Sequence, residues 1–200
     1  PLLEEAAGKN CGGAVVFASG YGEVGPEGRE RQRELVEAAD RLGIAVMGPN
    51  CAGFANFVDG IFAFAFLVEE RERGGNIGMI SQSGQIVLGG LDSPNMGFSH
   101  VISSGNSCNV KVEDYLDFLV DDEDTKVVAA YMEGVTKPEK LVAAFQKAAL
   151  KKKPVVVLKT GRSAKSQELA KSHTGSLSGA DKVLRAVFKR YGVVEAGDLE

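Results

Sequence analysis

Apolar positions along this chain follow two alternating patterns. Short runs rich in β-branched residues, such as the Val155-Val156-Val157-Leu158 stretch, are apolar at successive positions, which is typical of strands covered on both faces. Between these runs, apolar residues recur every three or four positions, as on one face of a helix. The runs predict seven strands, at residues 14–18, 44–47, 77–81, 99–103, 126–132, 154–159 and 193–195.

Three helices between these strands have recognisable ends. The first stops at Gly43, which we expect to adopt a left-handed cap. The second carries its apolar stripe over residues 141–149 and is preceded by Thr136 and Glu139 at the spacing of a capping box. The third has the strongest stripe, over residues 183–191. Because strands and helices alternate, we expect an α/β fold with a mostly parallel sheet and helices on both faces.

The rhythm breaks at residues 54–75, which are first aromatic and then strongly charged. We interpret this stretch as a connection between two units. The first unit, residues 1–67, contains two predicted strands, too few for a complete α/β sheet, so we expect part of a domain. The second unit, residues 74–200, contains five predicted strands and suits a flavodoxin-like parallel-sheet domain.

Composition narrows the class of protein. The chain has 200 residues, of which 25 are glycine, well above the usual ~7%, but without the Gly-X-Y period of collagen. Hydrophobic residues make up 44%, which argues against a disordered chain. The longest apolar run, residues 61–68, is far shorter than the ~20 residues of a membrane helix. A net charge of −4 without a basic tract argues against nucleic acid as a partner.

Cysteine and histidine usage adds two expectations. Cys11, Cys51 and Cys108 form no CxxC pair, which favours reduced thiols and a cytoplasmic protein. The two histidines are far apart and no cysteine pair is close, so we predict no metal site. The chain starts with Pro1 rather than an initiator Met, and we therefore expect a fragment of a longer polypeptide.

Candidate chemistry lies in the loops that follow the strands, since ligands of open parallel sheets bind beyond the carboxyl ends of the strands. Two of these loops place small residues at predicted helix starts, at Ser83-Gly84 and at Gly105-Asn106. Backbone N–H groups at a helix start favour an anion, and glycine permits close approach. We therefore predict a phosphate site there. The loops contain Ser19-Gly20-Tyr21, Gly48-Pro49-Asn50-Cys51-Ala52-Gly53, Ser81-Gln82-Ser83-Gly84-Gln85, Ser104-Gly105-Asn106-Ser107, Glu133-Gly134 and Lys159-Thr160-Gly161-Arg162.

The two histidines receive different interpretations. His100 lies in a strand pattern and is expected to be structural. His173 lies in a small, polar loop; it is either a solvated loop residue or a nucleophile whose neutral ring nitrogen is accessible. Glu133 ends a buried strand and is either a solvated acid or a carboxylate that orients such a histidine. A serine hydrolase is a rival, but Ser83 lacks the flanking glycines of a nucleophile elbow.

Taken in order, these loops resemble the nucleoside-diphosphate-forming acyl-CoA synthetases, the acetate–CoA ligase (ADP-forming) branch of the succinyl-CoA synthetase superfamily. The resemblance rests on the following segments and extends from about Ala14 to the C-terminus: Gly48-Pro49-Asn50-Cys51-Ala52-Gly53, Ser81-Gln82-Ser83-Gly84, Gly105-Asn106, Glu133-Gly134, Lys159-Thr160-Gly161-Arg162 and Ser172-His173-Thr174-Gly175.

The resemblance implies a role for each of these segments. Residues 1–67 would be the C-terminal part of a Rossmann-like CoA-binding domain, and residues 74–200 the flavodoxin-like ligase domain. His173 would be transiently phosphorylated and Glu133 would orient it. The implied phosphate-binding residues are Ser81, Ser83, Gly84, Gln85, Gly105 and Asn106. The residues implied to lie near coenzyme A are Ser19, Gly20, Tyr21, Pro49, Asn50 and Cys51.

The reaction implied by the resemblance is reversible. Acyl-CoA and phosphate give acyl phosphate and CoA; His173 takes the phosphoryl group and releases a small carboxylic acid; the phosphohistidine passes the group to ADP or GDP. The nucleotide and its Mg²⁺ would bind an ATP-grasp domain or subunit, which has no counterpart in this sequence. The glycine-rich start of the CoA domain is also missing, so we expect poor CoA binding by the chain alone. An oligomer is compatible with the resemblance.

Two other functions are compatible with the same residues. The domain pair could act as a non-catalytic sensor of acyl-CoA or nucleotide in a larger regulatory protein, for instance beside an acetyltransferase domain. The second alternative is a flavodoxin-like domain that binds another phosphate ligand. Two features bear on which carboxylic acid the protein would accept. One is the aromatic segment at residues 54–66, and the other is Gln85, at a position where the family often has a small residue.

Overall fold

The computed structural model describes residues 1–66, 74–160 and 181–197. All seven predicted strands are present, and two strands that the sequence did not predict are added. The elements, in chain order, are α1 (Leu2–Gly8), β1 (Gly13–Val15), a 3-10 helix (Gly22–Val24), α2 (Pro26–Leu42), β2 (Ala45–Met47), β3 (Gly53–Asn56), β4 (Ile61–Phe64), β5 (Ile77–Ser81), α3 (Gly84–Leu91), β6 (Phe98–Ser103), α4 (Val112–Asp121), β7 (Val127–Met132), α5 (Pro138–Leu150), β8 (Val155–Lys159), α6 (Asp181–Tyr191) and β9 (Val194–Glu195).

The main sheet has seven strands in the order β4-β3-β6-β5-β7-β8-β9. The five strands of its larger part, β5 to β9, are mutually parallel where they pair. Their spatial order is second, first, third, fourth, fifth, which is the flavodoxin-like order. The predicted fold class is therefore confirmed. Strands β1 and β2 pair in parallel in a separate two-stranded sheet, which leaves the first unit without a complete sheet of its own.

The interpretation of residues 54–75 as a simple connection is wrong in its first half. Strands β3 and β4 form an antiparallel hairpin there, and β3 also pairs antiparallel with β6. The hairpin joins the main sheet through β6, which lies far along the chain, so the local pattern does not reveal this pairing. The hairpin therefore extends the parallel sheet by two antiparallel edge strands.

The core of the larger unit lies between the parallel strands and helices α4, α5 and α6. Ile80, Val128 and Val157 on the strands are fully buried, as their uninterrupted apolar pattern predicts. The Phe145 ring on α5 meets the Phe188 ring on α6 edge to face, with centroids 5.6 Å apart. The helix stripes are therefore buried in part: Phe145 and Phe188 lie in the core, whereas Ala149 and Val183, at one end of each stripe, are exposed.

His100 is a structural residue of β6, as expected. Its side chain is buried, its ring packs edge to face on Phe118, and its Nδ1 lies 3.4 Å from an Asp122 oxygen. These contacts are those of a packing residue in the interior of the sheet.

The helix ends confirm one expectation and overturn another. Gly43 adopts a left-handed conformation with φ 66° at the end of α2, as predicted. The capping box of Thr136 and Glu139 is absent: α5 begins after Lys137 without a side-chain cap. Its place is taken by Glu113 of α4, a fully buried residue that accepts hydrogen bonds from the Thr136 and Lys137 N–H groups at 2.7 and 3.0 Å.

Among the described residues, no helix combines the length and the apolarity that a bilayer crossing requires.

Candidate functional site

A cavity of about 900 Å³ lies where the first unit meets the carboxyl edge of the main sheet. One wall is formed by the loops after β5, β6 and β7, and the opposite wall by α2 and the loop before it. The fold therefore brings together segments that are far apart in the chain. The cavity is lined from the sheet side by Gln82, Ser83, Gly84, Gln85, Gly105, Asn106, Ser107, Glu133 and Gly134, and from the first unit by Phe17, Glu23, Arg29, Gln32, Arg33, Asn50 and Cys51, among others.

The start of α3 faces this cavity. Ser83 occupies the N-cap position, no side chain caps the helix, and no acidic residue lies in its first turn. Gly84 and Gln85 therefore present helix N-terminal backbone to the cavity, where N–H groups and the helix dipole favour an anion. Of the predicted phosphate-binding residues, Ser83, Gly84 and Gln85 lie together as expected.

Ser81 lies behind this loop rather than on the cavity wall. It is fully buried, and its Oγ donates to the Ser83 carbonyl at 2.7 Å and accepts from the Ser83 N–H at 3.0 Å. This hydroxyl is thus used to shape the turn before α3.

Gly105 and Asn106 line the cavity, but the expectation that they start a helix is wrong. The next helix, α4, begins at Val112. Gly105 has φ 55°, which a right-handed helix does not accept, and the Asn106 N–H donates to the Pro49 carbonyl at 2.9 Å. The backbone donors that a helix start would offer to a phosphate are therefore not available at Asn106.

The Asn106 side chain instead joins the two walls. Its Nδ2 donates to Glu23 Oε2 and to Gln32 Oε1, and its Oδ1 accepts from Asn50 Nδ2 at 3.3 Å. Burial acts to raise the pKa of Glu23, but the hydrogen bonds from Asn106 and from backbone N–H groups outweigh it and hold this pKa below its usual range. An ionised Glu23 thus anchors the contact between the units.

The residues predicted to lie near coenzyme A divide into two groups. Asn50 and Cys51 line the cavity. Ser19, Gly20, Tyr21 and Pro49 do not line it. The N–H groups of Gly20 and Tyr21 donate to the Glu23 carboxylate, so the donors of this turn are used within the protein. Of this group, Asn50 and Cys51 are thus the residues that a ligand in the cavity could contact.

Cys51 is a protonated thiol at neutral pH. Burial raises its pKa, and a hydrogen bond from the Gly53 backbone lowers it by less. The Cys51 sulfur contacts the Val16 carbonyl at 3.5 Å. These properties are those of a packing residue of the cavity wall.

Glu133 lies at the end of β7 and lines the cavity together with Gly134. The predicted phosphorylatable residue, His173, lies outside the described residues. The structure therefore brings Glu133 to the same cavity as the start of α3, and the pairing of Glu133 with His173 stays a prediction.

Several cavity residues were not assigned by the sequence. Gln82 lies within the Ser81-Gln82-Ser83 segment, but the spacing of these residues does not indicate which backbone groups its side chain binds. Arg29 and Arg33, one helical turn apart on α2, also line the cavity, and their i,i+4 spacing predicts that they share one face of the helix. The Arg33 guanidinium forms ion pairs with Glu30 and Glu37 of the same helix. In the described ranges, no cluster of three histidine, cysteine or acidic side chains could hold a metal ion.

Comparison with known proteins places this geometry in a family. Residues 74–200 match the family model described as succinyl-CoA ligase like flavodoxin domain. The chain is 40% identical over 202 residues to the acetate–CoA ligase (ADP-forming) I of Archaeoglobus fulgidus, covering 99% of this chain and 29% of that protein. It is 36% identical to the alpha subunit of acetate–CoA ligase (ADP-forming) II of Pyrococcus furiosus, covering 99% of this chain and 43% of that subunit.

A solved structure agrees with these relatives. The dinucleotide-forming acetyl-coenzyme A synthetase 1 of Ca. Korarchaeum cryptofilum, in complex with phosphate and ADP, superposes with a TM-score of 0.90 at 30% identity. The match covers 99% of this chain and 43% of that one. The chain thus spans less than half the length of each of these relatives.

Proposed function

We propose that this chain, which belongs to the family of succinyl-CoA ligase-like flavodoxin domains, is part of an acid–CoA ligase that converts acyl-CoA, phosphate and a nucleoside diphosphate to the acid, CoA and a nucleoside triphosphate. One observation carries the proposal: the start of α3 and Glu133 line one cavity at the carboxyl edge of a flavodoxin-like sheet. The names of the relatives, which describe ADP-forming acetate–CoA ligases, support ADP as the nucleotide.

The first step uses the backbone at the start of α3. Phosphate attacks the carbonyl carbon of the thioester, CoA leaves as its thiol after taking a proton, and acyl phosphate remains. The N–H groups at Gly84 and Gln85 would hold the phosphate oxygens without having to reorganise as charge moves. The Arg29 side chain, on the opposite wall, would attract the anionic substrates.

The second step transfers the phosphoryl group to His173. A ring nitrogen of neutral His173 attacks phosphorus, and the acid leaves as its carboxylate. Glu133 would accept a hydrogen bond from the other ring N–H, fix the tautomer and stabilise the charged ring. The phosphohistidine then passes the group to the nucleoside diphosphate and returns to the neutral ring.

The remaining components would come from outside this chain. The nucleotide and its Mg²⁺ would bind an ATP-grasp domain or partner subunit, and coenzyme A would reach the cavity past Asn50 and Cys51. The free state of all three cysteines supports a cytoplasmic location. The alternative of a non-catalytic sensing module is not favoured, because the relatives reported above are named as ligases or synthetases.

Phosphorylation of the complete polypeptide, with its ATP-grasp partner, tests this function. Incubation with radiolabelled ATP should give an acid-labile, alkali-stable label that His173→Asn abolishes together with ligase activity. His100→Gln serves as the control and should keep the label, because His100 is buried beneath Phe118. Full ligase activity in the His173→Asn enzyme would refute the proposal.

A further inference from the structure

The Gln82 side chain continues the pairing of β5 and β7 beyond the ends of both strands. The ladder's last backbone contact there is from the Gln82 N–H to the Tyr131 carbonyl at 3.2 Å. From this point the β5 backbone turns away towards α3. The Gln82 Oε1 then accepts hydrogen bonds from the N–H groups of Glu133 at 2.6 Å and Gly134 at 3.0 Å. One side-chain oxygen thus accepts hydrogen bonds from two successive backbone N–H groups just beyond the end of β7.

The neighbouring strand holds the same turn from the other side. Lys159 Nζ at the end of β8 donates to the Glu133 carbonyl at 2.8 Å, and the Thr160 N–H donates to the Met132 carbonyl at 3.1 Å. The N–H and the carbonyl of Glu133 are therefore both bound by side chains. Such a clamp fixes the backbone torsion angles of Glu133 and hence the direction in which its carboxylate leaves the chain.

We infer that Gln82 is a positioning residue, which holds the turn that carries Glu133 at the cavity wall so that the Glu133 carboxylate can act in catalysis. This inference rests on the proposed ligase function. Gln82, Glu133 and Gly134 all line the same cavity, so the clamp lies at the site and not in the distant core. Misplacement of a catalytic group by an ångström can slow a reaction by about 100-fold.

Purely structural hydrogen bonding is the competing explanation, and it predicts different kinetics. If Gln82 were only structural, its replacement would lower the amount of folded enzyme, and activity would fall by the same factor in the parent and in the Glu133→Gln background. A positioning residue would lower kcat through Glu133 alone. The two explanations therefore separate in a double-mutant cycle between Gln82 and Glu133.

The complete polypeptide is the material for this experiment, with Gln82→Met, Gln82→Glu, Glu133→Gln and the double variant Gln82→Met/Glu133→Gln. Methionine keeps the length of the side chain without the acceptor oxygen, and glutamate restores an acceptor. Gln146→Met, at an exposed position of α5, is the matched control. The measurements are kcat, the KM values for acid, CoA and phosphate, and the thermal unfolding midpoint.

Gln82→Met should lower kcat by about 10- to 100-fold with KM values within about threefold. Gln82→Glu should recover most of the loss, and Gln146→Met should match the parent. In the Glu133→Gln background, Gln82→Met should cost no more than about twofold. A kcat within twofold of the parent for Gln82→Met, or a loss of the same size in both backgrounds, would overturn the inference. Full activity of Glu133→Gln would instead refute the role of Glu133 in the proposed function.

Discussion

Gly105 and Gly84, both predicted to bind phosphate, have different surroundings in the fold. A Cβ at Gly105 would lie 2.4 Å from the Pro49 carbonyl oxygen and 2.5 Å from that of Asn50, and its φ is positive. The fold itself therefore requires glycine at position 105. A Cβ at Gly84 would meet only the Ala52 Cβ, at an ordinary 3.9 Å. Packing thus does not require glycine at position 84, whereas the phosphate proposed to bind at the start of α3 would require it.

Gly84→Ala separates ligand binding from folding. We expect the free energy of unfolding to change by less than about 0.5 kcal/mol, since no strain or clash is introduced. The KM for phosphate should rise by about tenfold or more, because the methyl group stands where the anion approaches the helix start. Urea denaturation and steady-state kinetics of the complete enzyme measure the two effects.

Gly89→Ala, also in α3, is the matched control for this prediction. A Cβ there would have nothing within 4 Å, so alanine should stabilise the helix by about 0.5–1 kcal/mol and leave the KM for phosphate unchanged. An unchanged KM in Gly84→Ala would argue against phosphate at the start of α3.

At the scale of elements, the pairing of α4 with α5 depends on a buried carboxylate. Glu113, in the first turn of α4, is fully buried and satisfies backbone N–H groups at the beginning of α5. On the outer side, Asp114 and Asp121 of α4 form ion pairs with lysines of or next to α5. These outer pairs are exposed or half-exposed and are worth little each, so Glu113 is the stronger link between the two helices.

Glu113→Ala should destabilise the protein by about 1–3 kcal/mol, because two N–H groups before α5, in a partly buried place, lose the acceptor that the buried Glu113 supplies. Glu139→Ala should change stability by less than about 0.5 kcal/mol, since Glu139 is exposed and forms no capping box. Urea denaturation of both variants measures the difference. A loss of stability in Glu139→Ala as large as that in Glu113→Ala would contradict this prediction and support the Thr136–Glu139 capping box that the sequence predicts.

At the scale of the whole molecule, the loop between β6 and α4 joins the first unit to the main sheet. Asn109 in this loop accepts a hydrogen bond from the Val46 N–H at 2.8 Å and donates to the Ile44 carbonyl at 2.9 Å. The Cys108 N–H donates to the Gly48 carbonyl at 2.7 Å. Side chains and backbone of one loop thus bind the β2 segment and hold the first unit next to the main sheet.

Asn109→Ala should loosen the first unit without unfolding the main sheet. Loss of the acceptor for the buried Val46 N–H costs about 2 kcal/mol, which corresponds to about a 30-fold faster amide exchange at Val46. Amides of β5 and β7 should keep their exchange rates. Native-state hydrogen exchange measures both regions.

The control for this prediction is Asn76→Ala, an exposed position before β5, which should leave exchange at Val46 unchanged. A uniform acceleration across all strands in Asn109→Ala would mean that Asn109 stabilises the whole molecule rather than one contact.

The sequence by itself determined the parallel strands, the order of the elements and the set of loops at the carboxyl edge. These features are readable because the 3.6-residue and strand periods are local, and because parallel strands direct their carboxyl ends to one side. Gly43 as a helix cap is of the same kind, since a left-handed residue acts within its own turn.

Only the tertiary structure decided which groups meet. The β3–β4 hairpin joins the sheet through β6, the start of α5 is satisfied by Glu113 rather than Glu139, and Gln82 binds the turn of Glu133. Gly105 and Gly84 have the same local pattern but different surroundings. In each case the partner lies more than twenty residues away in the chain, and hydrogen-bond partners at that separation are fixed by packing of the whole fold rather than by local spacing.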